Sequence, residues 1–308
     1  MPTRRGSFRL FKLFGIEVFL HWSWFLVALY EIEVRKGLYS SINWNVLEYL
    51  TLFLIVLLHE FGHALACRSV GGQANQIVLW PFGGVAYVAP PQRPGAVLWS
   101  IVAGPLVNVI LLPILSVLWW YAYHSGWHSD FDIFNYVESI WTINLVLLIF
   151  NILPIYPLDG GKILYALLWF ILGRARSLLV ATVIGFIGIA VLAVLVVFVL
   201  IASPQDAIWP AAICVFIFLN CFQAFRQARE MLRIAKAPKR EDARCPVCQA
   251  SPPVGDFWTC GKCGKKFDAF ATQLKCPHCN TEYARIACFE CGTPSPLGGW
   301  SPQRFVQL

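Results

Sequence analysis

Charge is what this chain has least of. Asp, Glu, Lys and Arg together make up 13% of its 308 residues, against about 25% in ordinary soluble domains. That shortage excludes the usual water-covered enzyme surface. The segment 124–135 has no Lys or Arg at all but carries Asp130 and Asp132, which suits the outer side of a membrane. Small residues at a cleavage position are missing after Arg4-Arg5, so no cleavable signal is expected. What fills the chain instead is apolar: 58% hydrophobic residues and a mean hydropathy of +0.62. That is the profile of a polytopic membrane protein. The net charge of +7 is concentrated at Arg4, Arg5, Arg9 and Lys12 and again after Phe225. Basic residues flanking apolar segments follow the positive-inside rule, a simpler account than nucleic-acid binding.

Inside one apolar run lies His59-Glu60-Phe61-Gly62-His63. Residues four apart share a helix face, so two imidazoles can converge on one point with Glu60 beside them. The spacing suits two ligands of a zinc ion and a carboxylate that handles the proton of a bound water. In hydrocarbon these groups are costly, and an intramembrane ionisable residue is a functional candidate by default.

Six spans are expected, over about residues 16–30, 46–68, 94–121, 133–153, 177–202 and 208–225. His21, near the start of the first, reads as structural. Between the second and third spans, residues 76–88 are β-prone and interrupted by Pro81 and Gly83-Gly84, and are read as a small re-entrant β-hairpin. Six spans place both basic termini in the cytosol. The fold class is therefore an all-α polytopic membrane protein of about six transmembrane helices with that hairpin, plus a small cysteine-rich C-terminal domain.

A catalytic zinc usually takes three protein ligands and leaves one position open. Candidates for the third are His124, His128, Asp130, Glu138 and Asp159. Topology favours Asp159. The first three lie beyond the opposite interface of a core about 30 Å thick, whereas Asp159 follows a helix returning to the depth of His59 and His63. Pro154 and Pro157 break that helix, and Gly160-Gly161 permits close backbone approach. The competing reading makes Asp159 a helix N-cap.

With these motifs assembled, the chain resembles the site-2 protease family of intramembrane zinc metalloproteases, in its compact bacterial branch that includes the sporulation factor processing protease. The matching stretches are 59–63, Ala103-Gly104-Pro105-Leu106-Val107-Asn108, and 151–161 from Asn151 to Gly161. The resemblance covers roughly the first 225 residues. It implies His59, His63 and Asp159 as zinc ligands, Glu60 as general acid and base, and Asn151 as a polar partner of substrate or transition state. For Asn151 the alternative is packing between helices, and Asn144 on the same face is read as structural. No PDZ-like insertion or tandem nucleotide-binding domain is expected, so the family's usual regulators do not carry over. The implied substrate is a membrane-embedded protein in a lipid bilayer, here of a bacterial cell. Rival readings are a membrane-anchored scaffold with a vestigial protease core, opposed by the intact Glu60, and a zinc transporter, opposed by the lack of inverted repeats.

Eight of the 11 cysteines form four C-x-x-C pairs between 245 and 291. Such pairs read as metal ligands in a reducing compartment. Cys245, Cys248, Cys260 and Cys263 are assigned to one structural zinc, and Cys276, Cys279, Cys288 and Cys291 to a second, with sequential or crossed pairing left open. His278 reads as a bystander. Small modules of this kind depend on metal to fold. The expected layout is a protease domain at 1–225, a basic juxtamembrane linker at 226–244, tandem zinc ribbons at 245–292 and a flexible tail at 293–308. The cofactors are thus one catalytic and two structural zinc ions. Lys262, Lys265, Lys266 and Lys275 form a modest basic patch, but protein recognition is favoured over nucleic acid for the ribbons. Oligomeric state, natural substrate and activating signal are not legible.

Overall fold

The computed structural model describes residues 6–35, 37–80, 83–127, 131–204 and 207–300. Pro81, His128, Asp130 and the tail from 301 lie outside the described residues. The chain divides into two units, 1–225 and 226–308.

In the first unit, strands β1 (Ser7–Leu13) and β2 (Ile16–His21) precede helix α1 (Ser23–Val34) and helix α2 (Ile42–Ser69). Strands β3 (Gln73–Trp80) and β4 (Gly83–Ala89) follow, then α3 (Pro94–His124), α4 (Phe131–Ile152), α5 (Asp159–Leu172), α6 (Arg174–Ala202) and α7 (Ile208–Lys236). Five of these helices, α2, α3, α4, α6 and α7, are long and apolar enough to cross a membrane.

The first of the six expected spans is corrected. Its opening segment is β2, with Ile16 and Val18 buried. What remains is α1, whose 12 residues reach only about 18 Å, short of a bilayer core. The physical reason is the alternation Ile16-Glu17-Val18, a period-two pattern that pairs in a sheet. His21 closes β2 with a hydrogen bond to the Ser23 hydroxyl and its ring 5.1 Å from that of Trp80.

The four strands form one sheet in the order β1-β2-β3-β4. β2 runs parallel to β3, pairing Val18 with Ile77 and Leu20 with Leu79, and β4 returns antiparallel with Trp80 opposite Gly83. The hairpin segment is therefore half of a larger sheet, not a free-standing excursion. Ile16, Val18, Ile77 and Leu79 pack onto Val56, Leu57, Phe61, Ala64 and Cys67 of α2. That leaves α2 buried on several sides, including His59, Glu60 and His63. By contrast α6 keeps Val191, Phe198 and Ile201 exposed, as a lipid-facing helix does.

The second unit begins in the C-terminal turns of α7. It contains two short hairpins, β5 (Trp258–Thr259) with β6 (Lys266–Phe267) and β7 (Ile286–Ala287) with β8 (Pro294–Ser295), and a 3-10 turn at Leu297–Trp300. The expected flexible tail is corrected for its described part. Trp300 is 1% exposed, stacks edge-on to Phe270 at 5.3 Å, and its carbonyl accepts from the Arg244 N–H. The end of the expected linker is also bound in, since Arg240 N–H donates to Pro252 O and the Arg240 guanidinium to Asp268 at 2.6 Å.

Candidate metal centres

Helix α2 presents His59 and His63 one turn apart, and Asp159 opens α5. Leu158 is the N-cap of α5 and makes no side-chain cap bond, so Asp159 is free of the capping role. Its Oδ2 lies 3.0 Å from His59 Nε2 and 3.0 Å from His63 Nε2, and the two imidazole nitrogens are 3.1 Å apart. Ligand atoms bonded at about 2 Å to one tetrahedral centre stand about 3.3 Å apart. The donor triangle therefore has the right size, and its two borderline imidazole nitrogens with one hard carboxylate oxygen suit zinc.

The outer nitrogens are spoken for. His63 Nδ1 donates to the Ser100 carbonyl at 2.9 Å, and His59 Nδ1 to Asn108 Oδ1 at 2.7 Å. This leaves both Nε2 lone pairs facing the triangle. Lys162, one turn beyond Asp159, bonds its Oδ1 at 3.2 Å, so the carboxylate offers its other oxygen to the histidines. Helix α3 passes directly over the rings at Gly104. A Cβ there would meet His63 Nε2 at 2.2 Å and His59 Nε2 at 2.8 Å, so only glycine fits. Glu60 is 6% exposed, and its Oε2 accepts from the Ala86 N–H of β4 at 2.8 Å. A Cβ on Gly84 would overlap Glu60 Cγ at 2.2 Å, so the strand lies flat against the carboxylate.

The other candidates fall elsewhere. His124 is twenty residues beyond Gly104 on α3, about 30 Å along the helix, and bonds Trp120 O. Glu138 is exposed on α4, and His128 and Asp130 are outside the described residues. Asn151 is half-buried on the last turn of α4, and no described hydrogen bond ties it to the triad. Sequence reading missed Asn108 and Lys162, although Asn108 stood inside one of the matched stretches.

In the second unit, the sulfurs gather as Cys245, Cys248, Cys288 and Cys291, and as Cys260, Cys263, Cys276 and Cys279. The sequential quartets are thereby corrected: the first knuckle joins the fourth, and the second joins the third. Across the knuckles, Cys245 to Cys291 and Cys248 to Cys288 are both 3.7 Å, Cys263 to Cys276 is 3.7 Å and Cys260 to Cys279 is 3.5 Å. Disulfide sulfurs would stand about 2.05 Å apart, whereas a tetrahedral zinc at 2.3 Å spaces them about 3.8 Å.

Each knuckle is the same turn. The N–H of Gln249, Gly264, Asn280 and Gly292 donates back to the carbonyl of the first cysteine, at 2.9 Å in all four. Each of these residues has positive φ, 60°, 71°, 56° and 72° respectively. At the inner quartet the Tyr283 hydroxyl donates to Cys260 Sγ at 3.0 Å and accepts from the Gly261 N–H at 2.7 Å. That hydroxyl, with the Cys263 and Lys262 amides, lowers the Cys260 thiol to about 5. His278 belongs to neither cluster.

Apolar spanning helices around a buried His-His-Asp triangle with a carboxylate alongside define a membrane protein of the H-E-x-x-H metal-site class. The profile of Peptidase family M50, zinc metalloproteases of the site-2 protease type, matches residues 48–132 and 122–195 of this chain. The chain is 35% identical over 183 residues to a zinc metalloprotease of Methanocaldococcus jannaschii, covering 58% of this chain and 50% of that one. It is 38% identical over 124 residues to stage IV sporulation protein FB of Bacillus subtilis, covering 38% of this chain and 39% of that one. The chain thus spans about half the length of the first and less of the second. The solved site-2 protease from Methanocaldococcus jannaschii is similar at 28% identity and a TM-score of 0.49, covering 71% of this chain and 95% of that one.

Proposed function

We propose that the chain is an intramembrane zinc metalloendopeptidase that cleaves peptide bonds in or beside the spanning segments of membrane-anchored proteins. The observation that carries this reading is the triangle of His59, His63 and Asp159 donor atoms, 3.0–3.1 Å on each side, with Glu60 buried next to it. Bound zinc would polarise a carbonyl and bring the pKa of a water toward about 7. His59, His63 and Asp159 would hold it, with two cysteine-bound zinc ions serving structure alone.

Glu60 takes the proton of the attacking water and returns one to the departing amine. Its position is kept by the Ala86 N–H, so the base does not have to be ordered at each turnover. Lys162 keeps Asp159 facing the histidines through one oxygen. Asn151 donates to the scissile carbonyl, where charge develops.

A helical substrate hides its own carbonyls and has to be unwound before attack. Strand β4 ends the sheet and lies against Glu60, so an extended peptide is bound by strand addition there. Tyr87→Pro should cut cleavage while leaving zinc content unchanged. Equal turnover by that variant in reconstituted vesicles would refute strand addition.

The protease domain occupies 1–225, with the C-terminus in the cytosol and the cysteine module reading a protein partner there. In liposomes carrying single-span substrates, Glu60→Gln should keep its zinc and lose cleavage. Zinc crossing the bilayer without peptide release would favour a transporter. Inactivity of the wild type against every substrate, with metal bound, would favour a scaffold.

A further inference from the structure

The two histidines differ in what holds their outer nitrogens. Ser100 offers His63 a main-chain carbonyl, which has one fixed polarity. Asn108 offers His59 a side-chain amide, which has an acceptor end and a donor end that can exchange by rotation. If the NH2 end faced His59, Nδ1 would have to be bare and Nε2 protonated, and Nε2 could not bind metal. Something has to fix the amide.

We propose that Asn144 is a positioning residue that sets which nitrogen of His59 carries the proton, although no described hydrogen bond joins it to the triad. Asn108 on α3 and Asn144 on α4 are both 0% exposed, so bulk water does not reach either. Asn108 Nδ2 donates to Asn144 Oδ1 at 2.9 Å, and Asn144 Nδ2 donates to the Asn108 main-chain carbonyl at 3.1 Å. The second bond fixes the direction of the Asn144 amide, because the carbonyl only accepts. Asn144 Oδ1 is then obliged to face Asn108 Nδ2, and Asn108 Oδ1 to face His59 Nδ1 at 2.7 Å. The polarity of one backbone carbonyl is thereby relayed through two amides to the proton of His59. A half-satisfied arrangement would leave a buried polar group unpaired, which a dry site penalises.

The inference rests on the triad being a zinc site, so zinc uptake by the wild-type full chain is read first. Equal uptake by the wild type and by Asp159→Ala, which would mean the triad holds no ion, would overturn that reading and this proposal together. With three bound, chelator competition should show Asn144→Leu weakening the triad zinc by about 10–100-fold, with the cysteine-bound zinc unchanged.

The deciding comparison repeats Asn144→Leu in an Asn108→Asp background. A carboxylate has no donor end to turn toward His59, so there the loss of Asn144 should no longer weaken zinc binding. Equal weakening in both backgrounds would make Asn144 a packing residue and overturn the proposal alone. So would an Asn144→Leu chain with wild-type affinity. In case that variant does not fold, nitrogen-15 NMR of the cadmium-loaded wild type should show His59 bound through Nε2 with the proton on Nδ1. Ligation through Nδ1 would refute the relay without any variant.

Discussion

The membrane triad joins residues one hundred positions apart, His59 and Asp159, while each cysteine quartet joins two copies of one short turn. In the first case geometry comes from helix packing: Gly104 admits the rings, β4 braces Glu60, and α5 starts where Asp159 is needed. In the second it comes from local backbone bonds repeated four times. Three donors leave a position open for chemistry, whereas four thiolates close the shell. The contrast separates a site that packing must aim from a site that turns nearly aim by themselves.

The largest effect should follow from removing a ligand of the aimed site. Asp159→Ala is expected to lose one zinc and all cleavage while the cysteine module keeps its fold. Loss of all three zinc ions on elemental analysis would show the two regions to be interdependent. The nesting of the knuckles is tested by Cys245→Ser with Cys288→Ser. Both changes fall in one quartet, so the pair should cost one zinc; sequential quartets would lose two.

Trp300→Ala should destabilise the second unit by about 3–5 kcal/mol, the cost of emptying a buried aromatic site, measured as a fall in the denaturation midpoint. A shift near zero would restore the segment to a loose tail.

Asp268 gives a comparable and pH-dependent effect. Burial opposes its charge, but the Gly255 and Ala271 amides and the Arg240 guanidinium overcome this and hold its carboxyl below the usual value. A depressed folded pKa stabilises above the unfolded value of about 3.9 and loses that stability as pH falls through the folded one. Asp268→Asn should therefore cost about 3 kcal/mol at neutral pH, with the difference from wild type shrinking below about pH 4. A gap that is constant with pH would contradict the charge argument.

The smallest effect belongs to Gln249, which alone among the four knuckle turns puts neither Gly nor Asn at positive φ. Gln249→Gly should stabilise the module by about 1 kcal/mol, and destabilisation would contradict the shared-turn account.

Much of this was legible in the sequence because a few residues carried their own context. His59, Glu60 and His63 were set in an apolar run where polar groups need a reason, and Asp159 followed a helix broken by Pro154. The cysteine pairs announced metal, but four equal C-x-x-C spacings cannot say which pairs meet, since that depends on how the hairpins fold back. Ile16 and Val18 were hydrophobic enough to pass for a span until their alternation was honoured by pairing in β2. Asn108, Asn144 and Lys162 had no spacing signal, because their partners come from other helices or from the orientation of a single amide. Trp300 was obscured by the Pro and Gly around it, which suggested looseness where an aromatic anchor closes the module.

Metal content and turnover measured together on the wild type and two variants decide whether the His-His-Asp triangle is a working zinc site. Three zinc ions and cleavage are expected for the wild type, three and no cleavage for Glu60→Gln, and two and no cleavage for Asp159→Ala. Cleavage that survives in Asp159→Ala, or a wild type holding only its two cysteine-bound ions, would contradict that expectation.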